Sequence, residues 1–298
     1  MGTPEFAVAS LSKLVDQGCN IVGVITAPDK PAGRGMELQQ SAVKKYAIEK
    51  GLSILQPDKL KNPEFIEQLK SLNADLQIVV AFRMLPEIVW NMPSMGTLNL
   101  HGSLLPQYRG AAPINWAIIN GEAYTGVTTF KLKHEIDTGD ILLNEKIKIE
   151  ENETAGTLHD RMKEIGAEIL LQTVKGLALE NISEKPQDNV NIKHAPKIFT
   201  ETCSIVWNNK AVEINNLIRG LSPYPAAFTN LDGKKLKIFA AAIENKTPTS
   251  ATGAYETDGK YFLKFACNDG YISITDLQLE GKKRMKVEDF LRGYRFGG

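Results

Sequence analysis

The sequence holds little of what most readily assigns a function. Cysteines number only three in 298 residues, Cys19, Cys203 and Cys267, and none forms a C-x-x-C pair. An odd, scattered set supports neither a disulfide framework nor a metal site and fits a reducing, cytoplasmic setting. No apolar run approaches the ~18 residues needed to cross a bilayer, and no basic-then-apolar leader is read from Met1, so a soluble protein with no membrane partner is expected. Excess charge is missing too: 35 basic residues cancel 35 acidic ones, which leaves only local patches to argue for nucleic acid. Neither a G-x-G-x-x-G nor a Walker sequence occurs, which argues against nicotinamide and nucleoside triphosphate chemistry.

What is present is an alternation of strands and helices. Residues 6–15 have helical periodicity after Gly2-Thr3-Pro4, and 21–25 form a β-branched apolar run. Residues 30–35 are loop in composition, while Ser41 caps a helix that Gly51 ends. Asn62-Pro63 opens a further helix, and 75–82 is apolar enough to be a strand covered on both faces. After a short helix at 86–91 come a strand at 97–101, a helix at 114–119 and strands at 126–132 and 141–149. Thr154 then caps a long helix carrying Leu158, Met162, Ile165, Ile169, Val174 and Leu177. The rhythm predicts an α/β domain over 1–180 with a wound, mainly parallel sheet. Residues 181–199 are polar and aperiodic, as in a linker. From 200 to 298 a helix at 210–219, stopped by Gly220, precedes short strands and Asp-Gly turns, the pattern of a smaller β-barrel.

The chemistry concentrates in residues 98–106, Leu-Asn-Leu-His-Gly-Ser-Leu-Leu-Pro, and in Asp137-Thr138-Gly139-Asp140. Asn99 and His101 alternate along a strand, so both project from one face at its carboxyl end, where open α/β sheets bind ligands. An amide and an imidazole placed there can donate hydrogen bonds to an oxygen that becomes negative, and Asp137 can hold the imidazole or take a proton. Such a set suits formyl or acyl transfer; read without context, a histidine at a strand end is more often structural. The Asp-Thr-Gly-Asp loop has an equally plain reading as a β-turn. Lys282, Lys283, Arg284 and Lys286 form a basic cluster in the second domain, either a solvated loop or a nucleic-acid contact.

Asn99-Leu100-His101, Ser103 to Pro106, Tyr108-Arg109-Gly110-Ala111-Ala112-Pro113-Ile114, Thr125-Gly126-Val127-Thr128 and Asp137-Thr138-Gly139-Asp140 resemble the successive motifs of the methionyl-tRNA formyltransferase family. The resemblance extends to Gly2-Thr3-Pro4-Glu5-Phe6, Pro28-Asp29-Lys30-Pro31-Ala32-Gly33-Arg34-Gly35, Leu217-Ile218-Arg219-Gly220-Leu221 and Pro223-Tyr224-Pro225, and so covers nearly the whole chain. It implies a formyltransferase, Rossmann-like domain followed by an OB-like domain that grips tRNA. It also implies formyl transfer from 10-formyltetrahydrofolate, as co-substrate and without a metal, to the α-amino group of methionine on initiator tRNA. By position, Asn99 and protonated His101 would stabilise the oxyanion, and Asp137 would orient His101 and relay a proton. Ser103, Leu104, Leu105 and Pro106 would line the folate site, with Leu85 and Gly139 bounding it. Arg34 would enter the acceptor end of the tRNA, and Lys282, Lys283, Arg284 and Lys286 would meet its phosphates.

The rival readings are a sugar-nucleotide formyltransferase, which keeps Asn99, His101 and Asp137 without needing Arg34, and a catalytically inactive tRNA-binding protein. A monomer is expected. In the family a hydrophobic strand precedes Gly-Thr-Pro, whereas here Met1 stands directly before Gly2. The expectation is that Met1 is internal to a longer natural protein, short here by about seven to nine residues, the reach of one strand.

Overall fold

The structure, a computed structural model, describes residues 1–32, 36–188, 190 and 192–296. The chain opens on α1 (Glu5–Asp16), which buries Phe6, Ala7, Ser10 and Leu14 along one stripe. There follow β1 (Val24–Ile25), β2 (Lys30–Ala32), β3 (Glu37–Gln39), α2 (Ala42–Glu49), β4 (Ile54–Leu55), α3 (Pro63–Ser71), β5 (Gln77–Val80), α4 (Glu87–Trp90) and β6 (Thr97–His101). Next come β7 (Arg109–Gly110), α5 (Pro113–Ile119), β8 (Tyr124–Lys131), β9 (Ile141–Lys148) and the long α6 (Ala155–Ala178). Helix starts lie where the capping residues put them: Ser41 Oγ accepts the Lys44 N–H at 3.0 Å, and Asn62 Oδ1 accepts the Glu64 N–H at 2.9 Å. Lys30–Ala32 is a strand rather than the loop its composition predicts. It pairs antiparallel with β3 in a two-stranded ribbon, and a free ribbon edge tolerates Pro31, which has no N–H to give. Arg34 lies outside the described residues.

By contact the chain divides into two units, the first made of Met1–Gly110, Gly126–Ile147 and His159–His194. A two-stranded parallel sheet pairs β1 with β4, and a four-stranded sheet runs β5-β6-β8-β9, parallel where β5 meets β6 and antiparallel where β6 meets β8. Strand β6 is therefore flanked on both sides. Leu98 and Leu100 are buried on one face while Asn99 is half-buried on the other. Met1 and Gly2 lie between β1 and β5: the Gly2 N–H donates to Ile25 O at 3.0 Å and the Val80 N–H to Met1 O at 2.9 Å. A cavity of about 130 Å³, lined in part by Leu11, Ile21, Leu72 and Ile78, adjoins them. Among the described residues no helix is long and apolar enough to cross a membrane.

The second unit comprises Ala111–Thr125, Lys148–Leu158 and Ala195–Gly298. After β10 (His194–Ala195) it contains α7 (Ala211–Leu221), β11 (Ala227–Leu231), β12 (Lys234–Glu244), β13 (Tyr255–Thr257), β14 (Leu263–Ala266), β15 (Tyr271–Leu279), β16 (Met285–Lys286) and α8 (Val287–Gly293). An antiparallel sheet runs β11-β12-β15-β14-β13, with β16 on β15. Register shifts on β12 between Ile238 and Ala241 bend that strand and let the sheet curl over Ile214, Ile218 and Leu221 of α7.

Gly220 does not stop α7, which continues to Leu221. A side chain there would lie 2.6 Å from Ile119 Cγ1 and 3.1 Å from Asn115 O, so the glycine is kept for the close approach of α5. Asn115 Nδ2 seals that approach by donating to Gly220 O at 2.7 Å. Gly220→Ala adds helix propensity worth up to ~1 kcal/mol but overpacks this contact by about 1 to 3 kcal/mol. The expected net result is a lower melting temperature by thermal unfolding; a raised one would show that α5 can retreat at no cost.

Candidate active site

Strand β6 presents Asn99 and His101 from the same face, as alternation requires. His101 is 7% exposed, and its Nε2–H donates to the Tyr108 carbonyl at 2.9 Å. Because that carbonyl can only accept, it fixes which nitrogen carries the proton in the neutral ring. The other nitrogen, Nδ1, faces Asp137 Oδ2 at 3.8 Å, too far for a hydrogen bond and close enough for charge to be felt. Nδ1 becomes a donor only when the ring is protonated. The Asn99 amide has no hydrogen-bond partner among the described residues, so its N–H groups remain to be used.

Asp137 is aimed by its surroundings. It is 9% exposed, its Oδ2 accepts the Gly110 N–H at 2.9 Å, and its backbone is left-handed, with φ +55°. Aspartate tolerates that region better than most residues. Gly139, two residues on, has no alternative: a Cβ there would lie 1.6 Å from Lys131 O. Gln187 Nε2 donates to Asp137 O at 2.9 Å and to Gly139 O at 2.7 Å, while its Oε1 accepts from Arg109 Nε and Nη2 at 3.1 and 2.7 Å.

The turn after β6 satisfies its own polar groups. Ser103 Oγ donates to Gln107 O at 2.5 Å, Thr128 Oγ1 donates to Ser103 O at 2.7 Å, and the Leu105 N–H donates to Thr128 Oγ1 at 3.2 Å. The bond between Leu105 and Pro106 is cis. Leu104 rests on Gly126, where a Cβ would stand 2.4 Å from Leu104 Cδ2. Leu85 is placed differently from the others: its side chain is buried with Ile25, Leu60, Phe65, Leu69, Val79 and Val89.

The four cations of the 282–286 cluster are not equivalent. Arg284 pairs bidentately with Asp276, Nε to Oδ1 at 2.9 Å and Nη2 to Oδ2 at 2.8 Å, and stacks 4.2 Å from the centre of the Phe239 ring. This guanidinium holds the Asp276 carboxyl below its ordinary value. The stability it contributes is present at neutral pH and disappears as the pH falls through that depressed value. Lys286 Nζ lies 3.6 Å from the same carboxylate. Lys282 and Lys283 are exposed and carry no ion pair among the described residues.

Of the residues named from the sequence, the structure sets Asn99 and His101 on one face of β6 and Asp137 3.8 Å from His101; Gln187, Arg109 and the Tyr108 carbonyl, whose bonds the sequence does not mark, complete the hydrogen bonding around them. Gln187 sits in an aperiodic polar stretch that offers no local signal. Two donors beside a carboxylate make a site that can steady an oxygen gaining negative charge and accept a proton nearby.

The formyl transferase family model matches residues 1–174, and the model of the formyl transferase C-terminal domain matches 197–295. The chain is 51% identical over 303 residues to the methionyl-tRNA formyltransferase of Bacteroides fragilis, covering 99% of this chain and 94% of that protein. Identity to the methionyl-tRNA formyltransferase of Phocaeicola vulgatus is 54% over 306 residues, with the same coverage. Among solved structures, WlaRD, a sugar 3N-formyl transferase crystallised in the presence of dTDP and 5-N-formyl-THF, superposes with a TM-score of 0.69 at 20% identity, covering 95% of this chain and 97% of the other.

Proposed function

The chain belongs to the formyl transferase family, and from that premise we propose that it transfers a formyl group from 10-formyltetrahydrofolate to the α-amino group of methionine on initiator tRNA. The observation that carries the reading is identity near one half, along nearly the full length, to methionyl-tRNA formyltransferases of several bacteria. The site fits the co-substrate, because Asn99 offers unpartnered N–H groups on the face from which His101 also projects. Bound 10-formyltetrahydrofolate supplies an activated formyl carbon.

Asn99 and Nδ1–H of protonated His101 donate to the formyl oxygen as negative charge collects there. Asp137 orients His101 and relays the proton of the attacking amine toward N10 of the folate, as the bond from the formyl carbon to N10 breaks and tetrahydrofolate leaves. Ser103, Leu104, Leu105 and Pro106 hold the folate, with the backbone at Leu85 and Gly139 at its margin. Arg34 meets the acceptor end of the tRNA, and the protein works in the cytoplasm as a monomer.

The test is formyl transfer to charged initiator tRNA and to a dTDP-linked amino sugar, assayed side by side. Formylation of the tRNA alone is expected; formylation of the sugar alone would overturn the reading. The second unit supplies a separate test. Neutralising Lys282 and Lys283 together should weaken tRNA binding and reduce the slope of log K against log salt by about one for each phosphate no longer neutralised. Arg284→Ala, which breaks the pair with Asp276, should instead lower the melting temperature. An unchanged salt slope in the double lysine variant would return those residues to the solvated surface.

A further inference from the structure

We infer that Gln187 is a positioning residue for Asp137, a role that rests on the formyl-transfer reading above. All the hydrogen-bonding capacity of its side-chain amide is turned toward the reactive loop or toward the arginine beside it. The two Nε2 hydrogens are divided between the carbonyls of Asp137 and Gly139, which bracket Thr138, at 2.9 and 2.7 Å. The Oε1 atom is held by Arg109 through Nε and Nη2. The next residue along, Gly110, donates its N–H to Asp137 Oδ2 at 2.9 Å. One short segment, Arg109–Gly110, thus grips the carboxylate directly and grips its backbone through Gln187.

The arrangement has a physical purpose. Asp137 is left-handed, and its carboxylate reaches the His101 ring at 3.8 Å without a hydrogen bond to keep it there. Nothing in the Asp137–His101 contact itself fixes the approach, so the fixing must come from behind. Gly110 sets one oxygen, and Gln187 sets the backbone from which the side chain springs. Without the amide, two carbonyls in a part-buried place lose their donor and the loop gains freedom to rotate the carboxylate away. A second strut ties the same stretch of chain nearby, where Lys185 and Ile141 exchange backbone hydrogen bonds at 2.8 Å in each direction. Loss of Gln187 is therefore expected to loosen the loop without detaching the segment.

The experiment measures steady-state formyl transfer to charged initiator tRNA for Gln187→Glu, Gln187→Met, Asp137→Asn and the Gln187→Glu/Asp137→Asn double variant, with thermal unfolding of each. Gln187→Glu keeps shape and replaces both donors by an acceptor; Gln187→Met keeps length without any hydrogen bond and serves if the charged variant does not fold. Both should lower kcat between about tenfold and a hundredfold, the usual result of a group misplaced by ~1 Å. KM for the folate and for the tRNA should stay within about twofold. The double variant should be no slower than Asp137→Asn alone, because a residue that acts only through Asp137 has nothing left to position. Wild-type kcat in both Gln187 variants, or losses that multiply in the double variant, would overturn the inference while leaving the formyl-transfer reading in place. An Asp137→Asn variant with full activity would overturn the role of Asp137, and the inference with it.

Discussion

Asn99→Ala and His101→Ala should each lower kcat by about 10²- to 10³-fold, the loss usual when one donor to a developing oxyanion is removed. The two variants differ in how cleanly they report this. Asn99 is half-buried and its amide has no protein partner among the described residues, so truncation leaves no group stranded and the melting temperature should hardly move. His101 is buried, and its removal deprives the Tyr108 carbonyl of a donor, at a cost of about 1 to 3 kcal/mol. A lower melting temperature is therefore expected for His101→Ala alone. In both, KM should change little, since the interaction strengthens only as charge develops. Combining them should cost less than the product of the single losses, as one oxygen is served by both donors. Single-turnover kinetics with charged initiator tRNA, alongside thermal unfolding, provides the check. Near-normal turnover in both variants would remove β6 from the chemistry.

Gly139→Ala is expected to be nearly as damaging by another route. The new methyl carbon would stand 1.6 Å from Lys131 O, less than half of an ordinary contact, and the obstacle is backbone rather than a side chain that can swing aside. Either the loop lifts or β8 gives way. Lifting the loop pulls on the Lys131 N–H, which donates to Asp140 O at 3.1 Å, and on both carbonyls held by Gln187. A displacement of ~1 Å at Asp137 is enough for about a hundredfold loss of kcat, and the broken backbone hydrogen bond should lower the melting temperature as well. Retention of both activity and melting temperature would show that the loop tolerates a shift of this size.

How much of this was legible in the sequence depended on whether a signal was local. Asn99 and His101 could be found because both lie on one strand, where alternation alone puts them on one face. Ser41 and Asn62 announced their helices because a cap is a contact with the next turn. Gly139 and Asp137 were visible as a turn, but the hold of Lys131 O on that glycine was not, since it belongs to the pairing of distant segments. Gln187 had no local mark: its stretch has no period, and its bonds to Asp137, Gly139 and Arg109 reach segments far away in the chain. The second unit repeats the point. Four cations in a short run look alike, yet Arg284 is taken by Asp276 because β16 pairs with β15 across Leu277 and Met285, a register that the run itself does not contain. Likewise α5 is apolar enough to demand burial, but composition records how much of a helix is hidden and not which neighbour hides it. Its partner α7 became clear only through the close approach at Gly220.

The bond from Gln187 to Asp137 spans 50 residues of chain. At about 5 to 20 residues per second, a ribosome takes roughly 3 to 10 s to travel that distance. Throughout that interval Asn99, His101 and Asp137 have been made, and β6 can pair with β5 and β8, while Gln187 and β10, the partner of β7, do not yet exist. The order of synthesis thus runs from the sheet toward the loop: a nascent chain halted just before Gln187 contains β5, β6 and β8 but lacks both the Gln187 amide and the strand that pairs with Arg109–Gly110.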